Sequence, residues 1–326
     1  MNRINVVGDS LIDLSFALPR QFIHRYQQQQ KLELPFGEKL STEGYALDAG
    51  GSGNNVAVGM HRAGYKVWFH TGLATDVFGD FLRTFLGSND ISVDEGESMT
   101  QTPISVILRA GGERTIVTAR NFPSSCPKVL PEEDWLHLGP FHGDLDKLSS
   151  IVQPHQVKSG QGISFNPSIE SLEERSRGLL SLLKTVTILF VNLHEAIVLT
   201  RLPQRTPVEE LLSSLRRMGP KTICITDGER GAYVADDEVI LSAPALVTQH
   251  ERIDATGAGD AFTTGFLASY LSPMELASQG ALLRRSLGCG IASSAAAIGE
   301  VGATRGLLDY EAIMHDAERV KVRSLG

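Results

Sequence analysis

The residues best placed to do chemistry lie in one run, IDATGAGDAFTTGFLASYL, at positions 253–271. Phe262, Phe266 and Tyr270 recur there at helical spacing, which predicts a core-facing helix that begins near Asp260. Thr256, Gly257, Ala258 and Gly259 stand directly before it. The glycines let the chain turn so that successive N–H groups point one way, and a helix N-terminus carries about half a positive charge. Together they form an anion hole suited to the charge that develops on a phosphoryl group in transfer. Asp260 at its mouth can accept the proton of an attacking hydroxyl. An isolated G-x-G-D run is also an ordinary turn and cap, so this reading needs a second cluster.

That cluster runs from Gly50 to Asn55, three glycines and a serine followed by two asparagines. Its backbone can approach a ligand closely, and the amide side chains both donate and accept hydrogen bonds, which suits a polyol. Asp13, soon after the first apolar run, can accept from two hydroxyls.

These residues need a frame. Ile4 to Val7, closed by Gly8 and Asp9, reads as a buried strand. Val56, Met60 and Ala63 mark a helix that Gly64 stops; Lys66 to Thr71 reads as a strand and Asp76 to Leu86 as a helix. From about 135 onward HLGPF, QGISFNP, TILFVNL and TICITDG alternate with helical stretches such as Ser171–Leu183 and Val208–Met218. That alternation predicts βαβ units and a mostly parallel sheet, with ligands beyond the carboxyl ends of its strands, where Asn166, Asn192 and Thr226-Asp227-Gly228 would line a rim. The tail is helical around 276–298, and Asp309 is set to cap a last helix. Residues 103–108 and 115–119 flank the Gly111-Gly112 turn of a hairpin. The stretch 14–48, with its glutamines Gln27 to Gln30, is too long for an ordinary connection and reads as an insertion. The polar segments 14–48 and 95–121 are therefore expected to pair as a small sheet beside the main one.

Composition bounds the function. The chain has 326 residues, is 42% hydrophobic and carries a formal net charge of −8. It has no dense basic block, which argues against a nucleic-acid partner. Three cysteines without a CxxC predict buried thiols in a reducing compartment. The N-terminal stretch lacks the apolar run of a signal peptide, and no window is apolar enough to span a membrane, so a cytoplasmic location without membrane contact is expected. No G-x-G-x-x-G follows a strand and no G-x-x-x-x-G-K-[ST] loop occurs, which removes the nicotinamide and Walker readings.

The two glycine-rich clusters give the chain its resemblance. GGSGNNVAVGMHRAG at 50–64 resembles the first signature of the ribokinase-like, or PfkB, family of carbohydrate kinases, and DATGAGDAFTTGF at 254–266 resembles the second. GDSLID at 8–13, GERTIVTARN at 112–121, FNPS at 165–168, NLHEA at 192–196 and TDGERG at 226–231 extend the likeness along nearly the whole chain. The resemblance implies an α/β three-layer sandwich with a mostly parallel central sheet and a small β lid, one kinase domain over 1–326 with the lid formed by about 14–48 and 95–121.

It further implies an ATP-dependent kinase acting on a hydroxyl of a sugar or sugar-like substrate. Asp260 would be the base; Gly257, Ala258 and Gly259 would supply the anion hole. Asp13, Gly51, Asn55 and Asn121 would contact the acceptor. Asn192 and Glu195 would organise Mg2+ and phosphate through water, and Thr226, Gly228 and Gly231 would meet the nucleotide. Asp254 and Thr256 would hold a monovalent cation, potassium, with EVGATRG at 300–306 matching the loop opposite incompletely. Ser52 stands where ribokinases proper carry lysine, so ribose is not singled out. A neutral sugar is the first expectation for the acceptor, a nucleoside the second and a sugar phosphate the third, because Arg109, Arg114 and Arg120 on lid strands read as solvated. A homodimer through the lid is the expected assembly. The competing class is a catalytically silent sugar or nucleotide sensor, which the complete set of Asp260, Asn192 and Glu195 disfavours.

Overall fold

The computed structural model describes residues 3–26, 29–96, 99–111, 113–119, 126–127, 130, 134–153, 162–246, 256–273, 278–300 and 302–325. Its strands are β1 (Arg3–Val7), β2 (Leu11–Ala17), β3 (Ile23–Tyr26), β4 (Gln29–Leu32), β5 (Gly44–Gly50), β6 (Lys66–Thr71), β7 (Ser92–Glu95), β8 (Ile104–Ala110), β9 (Glu113–Ala119), β10 (Trp135–Leu138), β11 (Ile163–Phe165), β12 (Ile188–Asn192), β13 (Thr222–Thr226), β14 (Ala232–Ala235), β15 (Ile240–Ala243) and β16 (Arg323–Ser324). The helices are α1 (Ser52–Arg62), α2 (Val77–Ser88), α3 (Leu145–Val152), α4 (Ile169–Glu174), α5 (Arg177–Thr185), α6 (Leu193–Thr200), α7 (Val208–Arg216), α8 (Ala258–Tyr270), α9 (Gln279–Ala297) and α10 (Tyr310–Ala317).

Among the described residues ten strands form the main sheet, in the order β16-β15-β14-β13-β12-β11-β10-β1-β6-β7. From β7 to β13 every pairing is parallel; β14, β15 and β16 add antiparallel at one edge. The apolar runs read as buried strands because the sheet is covered on both faces. Alternate residues of β12 show this: Ile188 and Phe190 join one core with α1, α8 and α9, while Leu189 and Val191 join the other with α3, α5 and α7. The result is an α/β three-layer sandwich.

A second sheet of four strands, β5-β2-β8-β9, stands beside it, and β3 and β4 pair as a separate hairpin. The segments expected as a lid supply strands to both. Asp13 lies inside β2, in register with Asp48 of β5 and Ser105 of β8. Gln30 lies in β4, while Gln27, Gln28 and Gly112 lie outside the described residues.

One expected element is broken. Ser171–Leu183 is not a single helix: α4 ends at Glu174, Arg175 adopts a left-handed conformation at φ 51°, and Ser176 caps α5 with its side chain. The apolar spacing of Leu172, Leu179 and Leu183 spans both helices because both pack on the same core. Asp309 caps α10 by accepting from the Ala312 amide, as its position predicts.

Candidate active site

Helix α8 is almost wholly buried, and Phe262 and Phe266 pack against Phe190 of β12 in the core. That packing fixes where the helix starts. Gly257 caps it at φ 77°, a left-handed conformation that disfavours any side chain, and a Cβ there would overlap Ala303. The first backbone bond closing the helix runs from the Ala261 N–H to the Gly257 carbonyl, at 2.8 Å. The amides of Ala258, Gly259 and Asp260 precede that bond, where a helix offers its N–H groups no internal acceptor. At Gly259, leaving aside its chain neighbours and the backbone of its own helix, no atom of the described residues lies within 4 Å of where a Cβ would stand, so the backbone there faces open space.

That space belongs to a cleft of about 380 Å³. Gly257, Gly259 and Asp260 line it from α8, Gly51 and Ser52 from the start of α1, Asn192 and Glu195 from the start of α6, and Thr226 from the end of β13. The cleft therefore lies at the carboxyl ends of the parallel strands, where α/β sheets bind ligands.

Asp260 is 8% exposed. Its Oδ2 accepts from Asn55 Nδ2 at 2.7 Å. Burial lifts the carboxyl above the ordinary carboxylate range, and hydrogen bonds from Asn55 and Ser52 pull it part-way back. Asp260 is thus a carboxylate whose charged form is held by neutral donors, a poise suited to taking up a proton. Glu195 is raised too, chiefly by burial, with a smaller contribution from the charge of Asp260; the Asn192 amide opposes the shift. Asn192 and Glu195 form a capping box at α6: Asn192 Oδ1 accepts from the Glu195 N–H at 2.9 Å and Glu195 Oε2 from the Asn192 N–H at 2.8 Å. Each acceptor oxygen keeps a further lone pair. Among the described residues no group of three or more His, Cys, Asp and Glu side chains could hold a metal ion by itself. Asn192 and Glu195 place oxygen donors at the cleft, a chemistry that would suit a hard cation such as magnesium.

Residues 1–309 match the model of the pfkB family carbohydrate kinases. The chain belongs to this family. A cytidine kinase of Thermococcus kodakarensis is 29% identical over 230 residues, 68% of this chain and 80% of that protein. A probable fructokinase of Arabidopsis thaliana is 28% identical over 276 residues, 77% and 81% of the two chains. The fold is shared with a ribokinase from Giardia lamblia at a TM-score of 0.79 and 16% identity, covering 98% of this chain and 100% of that one.

Not every residue singled out in this pfkB-family sequence reaches the cleft. Ala258 sits between two lining residues but does not line the cavity itself. Asn55 meets it only through Asp260, and Asp13 is held in β2 with its carboxylate against Gly50, where a Cβ would overlap it. Gly228 and Gly231 belong to the tight turn between β13 and β14; a Cβ at Gly231 would overlap the Ala243 carbonyl, so the turn alone accounts for that glycine. Thr256 is half-buried outside the lining. Asn121, Arg120 and Asp254 lie outside the described residues.

The cleft also holds residues that sequence reasoning passed over. Asp9 Oδ2 lies 2.9 Å from His142 Nδ1, and His142 Nε2 lies 3.3 Å from Glu170 Oε2. Each follows or precedes a strand end already recognised, Asp9 after β1 and His142 after β10, so rim position was the available signal. Arg114 of β9 completes the wall from above.

Proposed function

We propose that the chain transfers the γ-phosphoryl group of ATP to a hydroxyl of a sugar or sugar-like acceptor, with Asp260 as general base. One observation carries the reading: a buried carboxylate, kept ionisable by Asn55 and Ser52, stands at the unladdered amides of α8 inside the cleft. The acceptor hydroxyl would lie against Asp260, with Asp13 on the four-stranded sheet holding a neighbouring hydroxyl. As the acceptor oxygen forms its bond to the γ-phosphorus, its proton passes to Asp260 and the bond to ADP breaks. The amides of Ala258, Gly259 and Asp260 face the charge on the transferred group, where fixed donors act most strongly. ATP would lie along the rim of Asn192, Thr226, Gly228 and Gly231. Magnesium, held through water by Asn192 and Glu195, would neutralise charge on the phosphates. The four-stranded sheet would act as a lid that keeps water from competing with the acceptor.

A nucleoside acceptor is the second reading, favoured by the likeness to a cytidine kinase. The test is ADP release across a panel of sugars, nucleosides and sugar phosphates, with and without potassium, for the natural chain and Asp260→Asn. Acceptor-dependent ADP release that Asp260→Asn abolishes supports the reading. Release that persists undiminished in the variant removes it.

A further inference from the structure

The four-stranded sheet carries a charge arrangement that its own residues do not balance. Arg109 of β8 and Arg114 of β9 are directly opposite in an antiparallel pair, so both side chains leave the same face. Like charges so placed repel. The Nε of each is buried without a hydrogen-bond partner. Of the residues of β9, Arg114 alone is withdrawn from solvent. Asp9, Glu170, Glu195 and Asp260 line the same cleft as Arg114, yet among the described residues no carboxylate forms an ion pair with either arginine. In a chain of net charge −8, an unmatched arginine lining this cleft, with a second unmatched arginine directly opposite it in the sheet, calls for an anion from outside.

The register says which anion. Asp13 pairs with Ser105, and Ala17 with Arg109, so Asp13 and the arginine pair share one face of the sheet, four residues apart. That is about 13 Å along a strand, a span bridged in large part by an arginine side chain and an acceptor of sugar size. The phosphates of ATP would be met by the α8 amides at Gly259 and Asp260, which line the same cleft. We infer that Arg114, supported by Arg109, binds an anionic substituent, phosphate or carboxylate, on the acceptor. The acceptor class is then a sugar phosphate or a sugar acid, which reverses the order expected from the sequence. A planar guanidinium with two parallel N–H groups matches such an oxyanion. The inference rests on the phosphotransferase reading above, since it takes the acceptor to lie between Asp13 and Asp260.

The experiment compares acceptors that differ only in the anionic group: D-fructose with D-fructose 6-phosphate, and D-glucose with D-gluconate. The natural chain should prefer one anionic member by about ten- to a hundred-fold in kcat/KM, the range of a charge-assisted contact. Arg114→Gln should collapse that ratio toward one, and Arg114→Lys, which keeps the charge and loses the fork, should restore part of it. Preference for the neutral member of both pairs overturns the inference. So does an Arg114→Gln chain that loses both members of a pair in equal proportion, which would assign Arg114 to the ATP phosphates. Calorimetric binding of the same acceptors to Asp260→Asn separates this inference from the kinase reading. Binding of the anionic members that depends on Arg114, without turnover in the natural chain, sinks the kinase reading and leaves the anion site standing. No Arg114-dependent binding sinks the anion site.

Discussion

Asn55 Nδ2 donates to Asp260 Oδ2 at 2.7 Å, joining the first turns of α1 and α8 across more than two hundred positions of chain. The two glycine-rich clusters are thereby one structure: the first supplies the donor that keeps the carboxylate of the second ionisable.

Asp260→Asn is expected to lower kcat by at least about a hundred-fold, the range of a general base, while ATP still binds. The same variant should gain stability. A carboxyl raised on folding contributes stability below its unfolded pKa and loses it as pH climbs through the folded one, so at neutral pH the buried charge is a cost. Relief of about 1 kcal/mol corresponds to a rise in Tm on the order of 2 °C. Thermal melts should show the gain at neutral pH and its disappearance toward about pH 4, the ordinary aspartate range.

The pH profile should carry the same signature. Asp260 must be ionised to act, and burial raises its pKa, so the acid limb of kcat/KM should fall above the ordinary carboxylate range. Asn55→Leu removes a donor that pulls the pKa down and should move that limb to still higher pH. An unmoved limb would mean that Asn55 does not set the ionisation of the base.

Gly257 and Gly259 should fail for different reasons. Gly257→Ala forces a side chain into a left-handed conformation and onto Ala303. It should cost about 1–3 kcal/mol of folding stability. Gly259→Ala meets no side chain or neighbouring element among the described residues, so Tm should hold, yet its methyl group enters the space before the amides and should raise KM for ATP or lower kcat. Melting curves beside steady-state kinetics would read both.

Glu195→Gln keeps an acceptor for the Asn192 N–H and so preserves the cap of α6. It removes the charge. The Mg2+ concentration for half-maximal rate should rise several-fold with little change in Tm, measured by a magnesium titration at saturating ATP.

The architecture was legible where apolar runs end in Gly, Asn or Asp, since β10 to β13 are buried on both faces and announce themselves as continuous apolar strands. The start of α8 was legible from Phe262, Phe266 and Tyr270. The break at Arg175 was not, because a left-handed arginine leaves no mark in a pattern of leucines that both flanking helices share. Nor was the setting of Arg109 and Arg114: whether an arginine on a strand is solvated or turned over a cleft depends on the register with β2, which only the folded sheet fixes. The Asp9–His142–Glu170 contacts unite three separate rim positions, and such meetings are invisible to local spacing.

The loop at 302–307 touches three walls at once. Ala303 lies against Gly257, Arg305 Nη2 bonds Asp48 Oδ1 of β5 at 2.9 Å, and the Thr304 and Leu307 carbonyls accept from Arg62 of α1. In chain order this loop follows every other part of the cleft. During synthesis, then, the core shared by α3, α5 and α7 and the four-stranded sheet are released before the piece that braces the turn at Gly257. A nascent chain can therefore hold those parts of its fold and still lack the brace behind Gly257.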